Sequence, residues 1–321
     1  MFAEQKIVRS NRTGCTKDMS KSKLAFINVF LLSLFWALQI LTSKMGFTAG
    51  AKAIPFTLQS AFVALILLSL IVLPKHYKQI ISLPKKVLLG LLLANAIHFG
   101  FGGFFSNSGV AMTSAVNAGF LVKFALVTTI LLAWIFLKEK MTWTKAIAVL
   151  IMVFGSYLIS TKGQPIVPKI GDLLIVLACF SWSIGNILVR KAIKDTEVSG
   201  DVVSFLRPIA GIPVLLFFVL LSPLYPAQIQ NVFNANYFDF RFYPYVIGSG
   251  IFTALLWIFL NRTLKVATAS YMTMMSMMTS VFVAILAVLI LKEQIVLAQI
   301  FGGILTILAG IITHYSGVDK K

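Results

Sequence analysis

Leu137-Lys138-Glu139-Lys140 returns 154 residues later as Leu291-Lys292-Glu293-Gln294, and the same offset carries Asn107 onto Asn261 and Ala115 onto Ala269 without a gap. Nearer the start of each half the offset shortens to 146, matching Trp36 and Lys44 to Trp182 and Arg190, each pair eight residues apart. The chain is a duplication. Around these marks lie ten apolar stretches bounded by Lys, Pro, Gly or Asn clusters, at 24–44, 54–73, 87–105, 112–137, 143–160, 170–190, 202–221, 243–260, 268–291 and 295–315. Each is close to the roughly 20 helical residues needed to cross a hydrocarbon core about 30 Å thick. Five stretches fall in each half. Because five is odd, the second half enters the membrane the other way up, as an inverted repeat about a pseudo-two-fold axis in the membrane plane. The expected fold is therefore all-α and integral to the membrane: ten transmembrane helices as two inverted-topology five-helix repeats. The third and fourth stretches are separated only by the turn signal Asn107-Ser108-Gly109.

Composition agrees. Of the 321 residues 59% are apolar and 12% charged, against roughly one quarter charged in a soluble domain, which excludes an ordinary cytosolic enzyme. Lys and Arg number 28 against 10 Asp and Glu, a net charge of +18. In a soluble protein that excess would point to nucleic acid. Sorted over alternate connections, however, 20 basic residues fall on the side of both termini and 6 on the other, leaving only Lys123 and Arg207 inside spans. The bias predicts a plasma (bacterial inner) membrane protein with both termini cytoplasmic and no nucleic-acid partner.

The predicted organisation is a basic cytoplasmic tail at 1–22, repeats at 23–161 and 170–316, and a short cytoplasmic tail at 317–321. No apolar run precedes residue 22 and no A-x-A site follows the first apolar stretch, so the first helix is expected to serve as an uncleaved insertion signal. Cys15 and Cys179 form neither a CxxC pair nor a metal-ligand spacing. No disulfide, metal or cofactor is expected.

Ten spans in two halves, a Trp followed by Lys or Arg near the end of each half's first helix, and a Leu-x-Glu after each half's fourth helix resemble the EamA-type drug/metabolite transporters. The small residues that this pattern places nine and sixteen positions after the Glu are Ala148 and Gly155 in one half, and Gly302 and Ala309 in the other. The resemblance covers about residues 24–315. It departs from the family in lacking the frequent Pro midway along each fourth helix, and in carrying the early Arg of the second helix as Arg207 in one half but as Gln59 in the other. Amino acids or related compounds are the substrates the resemblance puts first.

Polar residues inside the spans are the candidate site, because a charge at the bilayer centre costs about 2.5–3.5 kcal/mol on the insertion scale. Lys123 sits 11 residues into the fourth stretch, about 16 Å deep at 1.5 Å per residue. No Asp or Glu lies at comparable depth. It reads either as a lysine bonded to carbonyls across a helix interface or as a substrate or proton group. Asn117, Phe120 and Lys123 share one helical arc. Trp36 and Gln39 in the first span correspond to Trp182 and Asn186 in the sixth, and read as pocket walls or as bundle packing. Asn95 and His98 are i, i+3 neighbours in the third span. Tyr271 and Met275 belong to the Met-rich run that opens the ninth.

Lys44 and Arg190 are placed at opposite mouths, and Arg207 near the cytoplasmic mouth, where its side chain would snorkel. Glu139 and Glu293 are expected near the N-termini of the fifth and tenth helices, at the positive end of the dipole. Gly302, Thr306 and Gly310 form a small-residue seam, internal or between protomers, so monomer and homodimer both stand.

No GxxxxGK[ST], HExxH or GxSxG motif occurs. The leading function is a secondary, non-ATP transporter of a small neutral, zwitterionic or anionic metabolite, working by alternating access around a midplane site with a coupling proton or ion. Efflux of cationic drugs, a channel and a membrane-embedded lipid enzyme are the alternatives. The partners are thus a small-molecule substrate and the lipid bilayer.

Overall fold

A computed structural model describes residues 2–113, 120–165, 167–225, 227, 230, 233, 239–292 and 294–315, with backbone alone at 2–21, 110, 111 and 291. Among the described residues all regular structure is helical, as lipid requires of a bundle that must satisfy every backbone group within its own segment. The first two spans are α1 (Phe2–Thr48, apolar from Ser22) and α2 (Ala53–Ile81). The third is built from α3 (Lys85–Asn95), a π-helical stretch Ala96–Phe101 and α4 (Gly102–Met112). The fourth ends in α5 (Phe124–Leu137) and the fifth is α6 (Trp143–Thr161). The second half follows with α7 (Gly171–Ile193), α8 (Gly200–Leu220) and α9 (Tyr243–Val266). Its ninth span is divided into α10 (Ala269–Ser276) and α11 (Met278–Leu291), and α12 (Leu297–Tyr315) is the tenth.

Nine of these segments are long and apolar enough to cross a membrane; α5, at 14 residues, is the shorter tenth, and residues 114–119 before it lie outside the described region. Lipid-facing and core-facing sides separate by helical period. On α2, Phe62, Ile66 and Leu70 recur each turn at 46–70% exposure, while Ala61, Ala64, Leu68 and Val72 are buried.

The duplication is visible in the backbone. Lys138 ends α5 in the left-handed region (φ 54°, ψ 32°) with its N–H on the carbonyl of Ala133, and Lys292 ends α11 at the same angles on Ala287. Helix pairing is two-fold as well. The first span packs on the eighth as the sixth packs on the third, and the fourth packs on the sixth as the ninth packs on the first. The second and seventh spans pair with each other, as do the fifth and tenth. The fold is two repeated five-helix halves, inverted and interleaved.

One expected boundary is corrected. Asn107-Ser108-Gly109 does not turn the chain but continues helix α4 to Met112, and the helix stops at Thr113 in extended geometry. Asn107 bonds its own preceding turn, donating to the carbonyl of Gly103 at 2.8 Å. Gly109 is small because α7 crosses there: a Cβ on it would lie 2.9 Å from the carbonyl oxygen of Gly171. Residues that read as turn formers are thus a close helix crossing.

The small-residue seam is internal. A Cβ on Gly155 of α6 would meet the Gly302 carbonyl of α12 at 2.8 Å and the Thr306 hydroxyl at 2.7 Å, so the two helices pack backbone to backbone.

Candidate functional site

Two spans are interrupted at equivalent points. In the fourth, the Lys123 N–H bonds the Phe120 carbonyl at 2.9 Å and its own carbonyl accepts from Leu126 at 3.0 Å; α5 begins at the next residue. In the ninth, 154 residues on, the Met277 N–H bonds Met274 at 3.1 Å, its carbonyl accepts from Ser280 at 3.0 Å, and α11 begins. These are tight three-residue turns in place of the α ladder. The lone deep lysine therefore stands on a helix break whose symmetry mate is a methionine. Lys123 is partly buried and lies within electrostatic reach of Cys179 on α7, a buried free thiol.

The π-helical stretch of the third span holds His98 and directly follows Asn95. Such bulges are over-represented at functional sites because they re-aim side chains. Asn95 is fully buried and its Oδ1 accepts from Arg207 Nε at 3.0 Å. The same guanidinium donates from Nη2 to Asn261 Oδ1 at 3.4 Å and stands 6.0 Å from the Trp257 ring centroid. Asn261 Nδ2 in turn donates to Ser204 Oγ at 2.9 Å and to the Trp257 carbonyl at 3.0 Å.

Arg207 is thus not a snorkelling residue at a mouth. Its exposure is 0%, and neighbouring helices hold it by amides with no carboxylate in its hydrogen bonds. Among the described residues its Nη1 has no hydrogen-bond partner, and neither do His98 Nδ1 and Asn186 Oδ1. An unpaired buried polar group costs about 1–3 kcal/mol, more when charged. Two of these, on Arg207 and His98, belong to one region. His98 is within electrostatic reach of Arg207, and its Cβ would lie 2.5 Å from a Cβ placed on Gly185, the residue before Asn186.

On α7 the buried Cys179, Ser183, Asn186 and Arg190 repeat at i, i+4, i+7 and i+11, one polar stripe along the helix. Ser183 Oγ lies 2.6 Å from Thr128 Oγ1 and 2.8 Å from Thr129 Oγ1 on α5, tying the stripe to the fourth span. Lys123 meets this stripe at Cys179, seven residues or about 10 Å from Asn186. Arg190, three residues from the end of α7, is buried. At 5% exposure it donates from Nη1 to the carbonyls of Leu264 at 2.5 Å and Lys265 at 3.1 Å, a cation on the C-terminal end of α9.

The remaining candidates separate. Trp36 packs against the core that includes Trp257, and Gln39 donates to Ser43, which bridges to Ser249 at 3.1 Å. Trp182 lies across Gly102, where a Cβ would be 2.5 Å from the indole. Phe120 makes an edge contact with Tyr157, 5.5 Å between centroids. Tyr271 and Met275 are 2% exposed in the core, and the Tyr271 hydroxyl lies 3.0 Å from His314 Nδ1. Lys44 is exposed near the end of the first span. Asn117 and Glu293 lie outside the described residues.

Glu139 is a helix cap, but of a different helix from the one expected. Its carboxylate accepts from the N–H groups of Ala269 at 3.0 Å and Ser270 at 3.2 Å and from Ser270 Oγ at 2.6 Å, so the first half caps α10 of the second. Local spacing pointed to the next helix in sequence; the partner is set by the interleaving of the halves. Near the same ends, Gln79 bonds the Glu197 carbonyl at 2.6 Å, and Asp201 is held by Arg262 at 2.7 and 2.8 Å.

At the opposite ends of the helices a cavity of about 260 Å³ is lined by Gly50, Lys52, Phe56, Gln59, Asp239 and Arg241 among others. Gln59, the repeat mate of Arg207, thus faces a cleft where Arg207 is sealed. Hydrogen bonds from Arg241 hold the Asp239 carboxyl below the usual carboxylate range. No group of three or more His, Cys, Asp or Glu that could hold a metal occurs among the described residues.

Comparison with known proteins agrees with this architecture. A solved crystal structure superimposes with a TM-score of 0.75 at 13% identity, over 91% of this chain and 97% of that one, a likeness of fold. An uncharacterized transporter of Methanothermobacter thermautotrophicus is 22% identical over 216 residues, 65% of this chain and 60% of the relative. The aligned part thus spans three fifths of that relative's length. The uncharacterized transporter YyaM of Bacillus subtilis is 25% identical over 229 residues, 69% of this chain and 70% of the relative. Residues 23–161 and 169–315 each match the EamA-like transporter family, and with both halves matched the chain belongs to that family of multi-pass membrane transporters.

Proposed function

We propose that this transporter carries small neutral, zwitterionic or anionic metabolites, amino acids or related compounds among them, by alternating access of its two halves around a midplane site. The observation that carries the reading is the pair of matching helix breaks at Lys123 and Met277. Departures from the regular helix at corresponding positions of inverted repeats mark where such carriers place their ligands, and here the N–H and carbonyl of each station are held in three-residue turns.

Charge supports the substrate class. Lys123 and Arg207 lie inside the spans, while the only carboxylates within described spans, Asp172 and Asp201, stand in the first turns of α7 and α8. A cationic substrate would find no opposite charge at depth. The conformation supports the mechanism. Ties between the halves through Glu139 and Gln79 lie at the end that the basic residues mark as cytoplasmic; at the other, where Thr113 with Asp172 and Gln299 with the Ile159 carbonyl also join them, a cleft stands beside Gln59. On this reading the site is shut from the cytoplasm, both termini are cytoplasmic, and the membrane is the plasma (bacterial inner) membrane.

Purified protein reconstituted into liposomes tests this. Saturable uptake that is stimulated by substrate on the opposite side is expected, with Lys123→Ala lowering transport at least tenfold. Linear, conductive flux, flux restricted to organic cations, or a Lys123→Ala variant unchanged in both affinity and rate would overturn it.

A further inference from the structure

We infer that Arg207 is a carboxylate-binding subsite that takes the acidic group of the substrate when the halves open toward the cytoplasm. This rests on the carrier reading and names the group that recognises the substrate's charge.

Three observations carry it. The guanidinium is fully buried and its partners are neutral amides, with Nε on Asn95 and Nη2 on Asn261. Its charge is therefore oriented without being neutralised, the arrangement of a fork held ready for an anion. Second, among the described residues the one nitrogen left over, Nη1, has no hydrogen-bond partner, and neither has Nδ1 of His98, which lies within electrostatic reach of it. A guanidinium donor beside an imidazole nitrogen, which accepts in one of its tautomers, complements a zwitterion, whose carboxylate accepts and whose ammonium donates. Third, the site is built across the interface that must rearrange. Asn95 and His98 come from the first half, Arg207 and Asn261 from the second, and a π-helical stretch lies at the contact.

In the closed arrangement Nη1 is sealed. Separation of the third and seventh spans exposes it, so the subsite is read from the cytoplasmic side, whereas Lys123 stands on the break in the fourth span.

The test uses a panel of amino acids, each supplied as the carboxylate, the amide and the decarboxylated amine, against full-length protein by thermal shift and by proteoliposome flux. Carboxylates are expected to bind at least tenfold more tightly than their amides. Arg207→Gln should abolish that preference, and Arg207→Lys should keep part of it. Since Arg207→Gln leaves Asn95 and Asn261 without their partner, Asn95→Asp is the second variant. It sets a carboxylate on Arg207 Nε and should weaken carboxylate binding tenfold while retaining the fold. Flux in which amides move as well as carboxylates, or an unchanged preference in Arg207→Gln or Asn95→Asp, overturns the subsite and leaves the carrier reading standing. Absence of saturable flux for every panel member in the wild type overturns the carrier reading itself.

Discussion

The carboxylate of Glu139, at the end of the fourth span, accepts three hydrogen bonds at the start of the ninth, the shortest from Ser270 Oγ at 2.6 Å. A residue of one half thus satisfies the free N–H groups of a helix in the other, and does so at one end of the bundle only among the described residues.

Removing that cap weakens the closed arrangement directly. Glu139→Ala is expected to cost about 1 kcal/mol, as loss of an N-terminal cap does, and Ser270→Ala less, since the two backbone bonds persist. In a carrier with two end states this loss moves the population toward the cytoplasm-open state by about fivefold. Reaction of an Asn261→Cys reporter with a thiol reagent added from the cytoplasmic side, in a Cys-free background, should rise accordingly.

The contact between the fifth and tenth spans gives a matched pair of mutations. Gly302 faces the Gly155 carbonyl, where a Cβ would stand at 2.5 Å, while neighbouring Gly303 has nothing within 4 Å. Gly302→Ala should destabilise by about 1–3 kcal/mol through overpacking. Gly303→Ala should be neutral or stabilising by up to about 1 kcal/mol through helix propensity. Thermal melting in one detergent compares the two; equal effects would contradict the backbone-to-backbone crossing.

The orientation proposed from the basic residues can be read one cysteine at a time. Lys52→Cys and Lys169→Cys are expected to react with a membrane-impermeant maleimide on intact cells, and Lys78→Cys only after permeabilisation. The reverse pattern would invert the assignment of sides.

Asp239, whose carboxyl is held low by Arg241, sets an acid-dependent contribution at the open end. A carboxylate with a lowered folded-state pKa stabilises fully above its unfolded value and loses that contribution as pH falls through the folded one. The difference in melting temperature between wild type and Asp239→Asn should therefore be constant near neutrality and vanish on acidification below the usual carboxylate range.

Much of the architecture was legible in the chain because lipid imposes one periodicity and one length on every span. The 154-residue offset, read from four residues, reappears in the backbone angles of Lys138 and Lys292. Crossings of helices were not legible. Asn107-Ser108-Gly109 has turn composition, and only the presence of Gly171 across the interface shows why small residues stand there. Depth misled at Arg207. Seven residues from a helix start is shallow along the axis, but the surrounding helices bury the side chain on every side, so distance along the helix said nothing about access. Asn261 was visible as a repeat mate of Asn107; that it holds Arg207 depends on the eighth span lying beside the seventh, which no local spacing encodes.

The break in the fourth span holds an ammonium where the ninth holds a thioether. Were the halves identical, exchanging their shapes would return the same molecule and the two end states would be degenerate. With Lys123 and Met277 at equivalent stations, the exchange moves a charge from one environment to another. Under the proposed alternating access, the two end states of this chain are therefore unequal in energy, and the direction in which it rests is written into its own sequence.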